Sequence, residues 1–178
     1  QAFVRWIAPI LSFTADEIWQ AMPGASEQPV FAEKWYELPD CSASALKQET
    51  IDLLAEVKGE VNKAIEQKRN DGEIGKSLEA EVTLYCGDEL SRVLQALGDE
   101  LRFVFIVSKV GLAAKADAQN AIETSVDGLS VSLAKTATQK CERCWHHSDS
   151  VGQDESHPTI CNRCVTNITT DGEERLYA

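Results

Sequence analysis

Four cysteines near the C-terminal end constrain this chain more than any other feature. Cys141, Cys144, Cys161 and Cys164 fall as C-x2-C, sixteen intervening residues, and C-x2-C, a spacing within the range expected of a four-thiolate zinc site. Two cysteines separated by two residues can turn both sulfurs onto one ion, and two such knuckles complete a tetrahedron with Zn–S near 2.3 Å. Two disulfides, or four unrelated thiols, are the competing readings. Against them, Cys41 and Cys86 stand alone without partner spacing, and nothing signals secretion, so a reducing compartment is expected. Four thiolates leave no open coordination position. The expected metal is therefore one structural zinc ion, stabilising a tail of about 40 residues that is too short and too polar to fold on its own core.

All three histidines, His146, His147 and His157, lie between the knuckles, where an imidazole could replace a thiolate, although the cysteine set is already complete. Trp145, directly after the second cysteine, can pack over the site, the ordinary outcome, or stack on a base. Arg143 and Arg163 each precede the second cysteine of a knuckle. They can face a phosphate, or offset the charge of −2 that four thiolates and Zn²⁺ leave.

Upstream of the knuckles the pattern is helical, then mixed. Val4, Ile7, Ala8, Leu11, Ala15, Ile18, Trp19 and Met22 recur at steps of three and four, an apolar stripe that needs partner helices. Thr14 with Glu17 reads as a capping box restarting a helix at Ala15 after Pro9, and Pro23-Gly24 ends it. Residues 23–45 are turn-rich and read as a connector. From Leu46 a helix of about 24 residues is expected, with Thr50, Leu54, Val57, Val61, Ile65 and Lys68 on one face. Lys58, Asn62 and Arg69 line one edge of that stripe, while Glu60 and Lys63 point away. Asp71-Gly72 breaks the helix. Leu78, Ala80, Val82, Leu84 and Cys86 then alternate as a half-buried strand; Asp88 to Leu97 has helical spacing; Phe103 to Val107 reads as a second strand; and Leu129, Val131 and Leu133 form a third after the Asp127-Gly128 turn. One helix on a small sheet is the simplest packing.

Lys plus Arg (17) against Asp plus Glu (29) leaves −12, which argues against loose electrostatic binding to DNA or anionic lipid. A nucleic-acid partner would have to be held by local, shape-specific contacts. No apolar run approaches the roughly 20 residues a membrane helix needs, so a cytoplasmic protein without membrane contact is expected. Gln1 as first residue, with Met22 the only methionine, suggests a piece cut from a longer parent. There is no Gly-rich phosphate loop, no G-x-S-x-G and no H-E-x-x-H, and the carboxylates read as solvated surface. On these residues the chain binds rather than reacts, and no catalytic residue is assigned.

Three stretches together resemble the C-terminal part of the bacterial isoleucyl-tRNA synthetases, a family of class I aminoacyl-tRNA synthetases. Ala8-Pro9-Ile10-Leu11-Ser12-Phe13-Thr14-Ala15-Asp16-Glu17-Ile18-Trp19 is similar to the end of the helical anticodon-binding domain shared by the isoleucine, valine and leucine enzymes. Glu66-Gln67-Lys68-Arg69, followed by Ile74-Gly75-Lys76-Ser77-Leu78-Glu79-Ala80, is similar to the family's junction after the long helix. Lys140-Cys141-Glu142-Arg143-Cys144-Trp145 with Cys161-Asn162-Arg163-Cys164 is similar to the zinc finger of the isoleucine enzyme.

The resemblance implies an α+β chain: the end of an α-helical anticodon-binding bundle (1–76), a small α/β junction domain (77–138) and a four-Cys zinc-binding domain (139–178). It implies a parent ligase, expected to be monomeric, that uses ATP to attach isoleucine to its tRNA and hydrolyses mischarged valine; the HIGH- and KMSKS-like signatures and the editing domain would lie upstream of Gln1. This piece would contact the anticodon arm of tRNA(Ile), whose unstacked bases suit a few Arg, Lys, Asn and aromatic groups rather than a broad basic surface. Lys58, Asn62, Arg69 and Lys76, with Arg143, Trp145 and Arg163 on the finger, are the candidate tRNA-binding residues. The alternatives are the zinc-finger region of a formamidopyrimidine-type DNA-repair glycosylase, and a zinc-stabilised protein-interaction module. The former lacks support from a basic, Gly-rich hairpin tip, whereas the latter draws on the −12 charge.

Overall fold

The computed structural model describes residues 1–38 and 46–177. The end of the expected connector, with Pro39 and Cys41, lies outside the described residues. The chain divides into two compact units, 1–44 and 45–178.

In the first unit, α1 (Ala2–Ile7) and α2 (Ser12–Ala21) are joined through a turn containing Pro9. Of the expected stripe, Val4, Ala8, Ala15 and Trp19 are buried together with Val30. Ile18 and Leu11 stay largely exposed. The indole Nε1 of Trp19 donates to the Gln28 carbonyl (3.1 Å), and Asp16 accepts from the Val30 amide (3.0 Å), which folds the following segment back onto α2. The capping box is not what starts α2. Leu11 is the N-cap, without a side-chain capping bond, and its carbonyl accepts from the Ala15 amide at 2.8 Å. Thr14 is thus already inside the first turn, where its hydroxyl cannot cap.

The second unit opens with α3 (Gln48–Asn70, 23 residues). It buries Leu54, Val57, Val61, Ala64 and Ile65, the face its periodicity predicts. Asp71-Gly72 stops it as expected: the Glu73 amide bonds back to the Lys68 carbonyl (3.0 Å) across Gly72, whose φ of 75° is the left-handed geometry glycine adopts freely. Glu60 departs from its expected outward direction. It is buried, and its carboxylate accepts from the Ser125 hydroxyl (2.7 Å) and from Lys63 (2.5 Å). The loop around Ser125 folds over the edge of the stripe and gives the carboxylate partners, a tertiary contact that helical periodicity does not contain.

A four-stranded sheet of order β2-β1-β4-β3 follows, built from β1 (Ala80–Cys86), β2 (Lys109–Ala114), β3 (Ile122–Glu123) and β4 (Leu129–Lys135). β1 runs parallel to β2 and antiparallel to β4, in register Leu84↔Leu112 and Leu84↔Val131. Ala80, Val82, Leu84 and Cys86 are buried alternately along β1, whereas Leu78 sits in the 3-10 turn before it. The parallel pair is connected through α4 (Asp88–Leu97) and α5 (Leu101–Phe105). Three helices, rather than the expected one, share the apolar core with the sheet: Val57 and Val61 from α3, Leu90 and Leu94 from α4, Leu101 and Phe105 from α5.

The expected strand at Phe103 to Val107 is the end of α5 and its exit. Leu101 and Phe105 are buried four residues apart, a helical pairing. A short apolar run does not by itself distinguish helix from strand. Ile106 ends α5 in the left-handed region (φ 57°), an unusual place for a β-branched residue. No helix is long and apolar enough to cross a membrane among the described residues. The last helix, α6 (Asn162–Thr169), belongs to the zinc module.

Candidate functional site

The first knuckle is a tight hairpin. The Trp145 amide bonds to the Cys141 carbonyl (2.9 Å), the Cys141 amide to the His146 carbonyl (2.9 Å), and Lys140 pairs with His147 across it. The second knuckle uses a helix start. Cys161 is the N-cap of α6 and Cys164 lies in its first turn, where the positive end of the helix favours thiolate. These two frames bring the four sulfurs to within 4.8 Å of one another. Cys141 to Cys164 and Cys144 to Cys161 are both 3.7 Å, close to the roughly 3.8 Å edge of a tetrahedron with 2.3 Å Zn–S bonds. No disulfide joins them, and no imidazole completes the set, among the described residues.

The sulfur electrostatics fit a divalent cation. Burial pushes the Cys144 thiol up, but the His146 ring and the Arg163 guanidinium beside it outweigh burial and bring it down to about 5. Burial and the neighbouring sulfurs push Cys164 up to about 12. Burial likewise raises Cys161, while at Cys141 backbone amides of the knuckles overcome it and lower the thiol. Four crowded sulfurs thus compete for negative charge, and a zinc ion lets all of them ionise together. The Cys161 amide donates to the Cys141 sulfur (3.4 Å), and Arg143 Nη1 approaches the Cys164 sulfur at 3.6 Å. Cys141, Cys144, Cys161 and Cys164 would hold the ion with no side left for substrate.

Around this centre the remaining candidates separate. Trp145 does not pack over the sulfurs: its ring is 57% exposed, with Lys140 Nζ 4.5 Å from its centroid. A φ of 69° at Trp145 turns the chain and aims the ring outward. Arg143 is exposed, whereas the Arg163 side chain is largely buried and ion-paired to Glu173 (2.8 Å). On α3, Asn62 and Arg69 are exposed and Lys58 is half-buried; Arg69 pairs with Glu66 (2.6 Å). Lys76 is exposed in the link before β1. Lys140 escaped the sequence reading. The only hint was its place, opposite His147 in any hairpin that a C-x2-C pair closes.

The comparisons with known proteins bear on both halves of this arrangement. Residues 1–84 match the family described as the anticodon-binding domain of tRNA ligase, and residues 139–167 match the zinc finger found in FPG and IleRS. The class of protein to which these helices and this finger jointly correspond is the tRNA ligase. Within it the similarity is specific. The chain is 55% identical, over its whole length, to the isoleucine–tRNA ligase of Shewanella sediminis (strain HAW-EB3), 52% to that of Saccharophagus degradans, and 53% to that of Teredinibacter turnerae. It spans 19% of the length of each. Over its whole length the chain is thus similar to about a fifth of the isoleucine–tRNA ligases it matches. The finger alone is shared with the glycosylase group; the match over 1–84 is to tRNA ligases.

Proposed function

We propose that this region holds the anticodon arm of tRNA(Ile) for an isoleucine–tRNA ligase, whose ATP-dependent attachment of isoleucine takes place outside the chain. The observation that carries the reading is the outward Trp145 ring beneath Lys140, fixed on a four-thiolate knuckle in the same chain as an anticodon-binding match. An aromatic face with a cation beside it suits an unstacked base and its phosphate. Zinc, when bound, supplies no reacting group; it fixes the two knuckles. Arg143 stands near Trp145 in the same hairpin, and Lys58, Asn62, Arg69 and Lys76 offer a second polar line along α3 and its exit. This division of labour fits the three segments 1–76, 77–138 and 139–178, in a monomeric ligase of the cytoplasm.

The test is made on the full-length ligase. Trp145→Ala and Arg69→Ala should raise KM for tRNA(Ile) about tenfold, the cost of roughly one lost stacking or charged contact, while isoleucine-dependent ATP–pyrophosphate exchange stays within about twofold. A gel shift of the chain with tRNA(Ile) against a tRNA altered only in its anticodon completes it. Equal binding to both, or preference for duplex DNA, would count against the reading.

A further inference from the structure

We infer that Phe103 is the pin that fixes the zinc module on the sheet, and that Arg163 serves RNA binding as a positioning residue stacked on that pin. The inference rests on the anticodon-arm reading above. Phe103 projects from α5, and beside the Arg102 guanidinium of the same helix, 4.7 Å from its centroid and paired to Asp99, the groups around its ring come from the zinc module. The His146 ring meets it edge-on (centroids 5.5 Å, 73°), and the guanidinium carbons of Arg163 and Arg175 lie 5.0 and 3.9 Å from its centroid. Three separate stretches of the module, the first knuckle, α6 and the final segment, converge on one side chain.

Cations brought together over one ring repel each other unless a negative charge lies between them. Glu173 supplies it. Its Oε1 accepts from Arg163 (2.8 Å), from Arg175 (2.7 Å) and from Asn167 of α6 (3.2 Å). The final segment then runs back to the start of α5, where the two oxygens of Glu100 accept from the Leu176 amide (2.8 Å) and the Tyr177 amide (2.7 Å). Tyr177 packs against the apolar core of the sheet. On the far side of α5, the His147 amide donates to the Ser108 hydroxyl (2.7 Å), which donates to the Leu78 carbonyl (2.5 Å). Attachments at Glu100, Phe103 and Ser108 prevent the module from swivelling about its link to β4.

The consequence for recognition is geometric. Trp145 immediately precedes His146, so any swing of the module displaces the aromatic platform. A platform already held in place spares the complex the cost of ordering it. Arg163 therefore acts on RNA through the orientation it helps to fix.

Three variants of the full-length ligase test this. Phe103→Leu keeps an apolar side chain and removes the ring; Phe103→Tyr keeps the ring; Arg163→Lys keeps the charge and loses the planar fork that both stacks and pairs with Glu173. With Phe103→Leu and Arg163→Lys, metal analysis should still find one zinc per chain. The Leu176 and Tyr177 amides should exchange about tenfold faster. KM for tRNA(Ile) should rise about tenfold with kcat within about twofold, and Phe103→Tyr should restore both. Unchanged exchange in Phe103→Leu, a freed segment with unchanged KM, or loss of zinc would each overturn the inference. If Trp145→Ala raises KM while Phe103→Leu does not, this inference alone fails; if neither raises it, the anticodon reading fails with it.

Discussion

The sheet and the zinc module belong to one compact unit, but opposite forces hold them. The sheet and its helices share a continuous apolar core running from Leu54 to Val131, with Leu84, Leu94 and Phe105 almost wholly inaccessible. Among the described residues the module's one buried cluster is Cys141, Cys161 and Cys164, with Cys144, Val151 and Ile160 partly covered. At roughly 25 cal/mol per Å² of apolar surface, the first is sustained chiefly by water exclusion. The second has too little such surface and depends on metal–sulfur bonds. Two neighbouring parts of a chain can thus be made equally definite by unlike physics, and each fails under a different insult.

The largest effect expected from that contrast is metal removal. A strong chelator, or Cys161→Ser, should withdraw stabilisation on the order of 10 kcal/mol from the module. Amide protection over 139–170 should disappear, while β1 and β4 stay protected. Equal loss in both would show that the sheet also depends on the ion. Conversely, Leu84→Ala should destabilise the sheet by about 2–5 kcal/mol and leave zinc content at one per chain, as read by denaturant unfolding with metal analysis.

Acid should separate the two parts more finely. Glu79 is held below the usual carboxylate range by the Gly75 amide, and Glu60 by hydrogen bonds from Lys63 and Ser125. A carboxyl lowered on folding contributes stability above its unfolded value, about 4.3, and that contribution is lost as pH falls through the folded value. Thiolates are protonated as zinc leaves. Titrating downward, zinc release should precede loss of the sheet's circular dichroism; the reverse order would break the comparison. The smallest effect concerns backbone strain. Ile106→Gly should stabilise the second unit by about 0.5–1 kcal/mol, because the left-handed conformation at the end of α5 costs an isoleucine more than the freedom of glycine offsets. Thermal melting would check this, and a lower melting temperature would show that the exposed Ile106 side chain makes a packing contribution.

What could be read from the residues alone depended on whether the signal was local. The cysteine ligands, the buried face of α3, the alternation of β1 and β4, and the extent of α4 each follow from spacing within a few turns of chain. β2 was missed because Gly111, Ala113 and Ala114 carry no strong strand pattern. Five apolar residues in a row, Phe103 to Val107, fit either geometry, so spacing does not tell the end of α5 from a strand. Glu60 departs from the periodicity because its partner Ser125 lies 65 residues away. The pin at Phe103 is invisible in sequence for the same reason: its neighbours come from positions 146, 163 and 175. The exposed placement of Trp145 depends on one backbone torsion, which a Cys-Trp pair does not announce.

That torsion sets two demands in opposition at a single position. A left-handed bend is easiest for the smallest residue, yet here it carries the bulkiest one, its indole turned to solvent. Substituting glycine would relax the hairpin and erase the indole in the same stroke. Selection for thermal robustness alone would therefore drift away from tryptophan at this position.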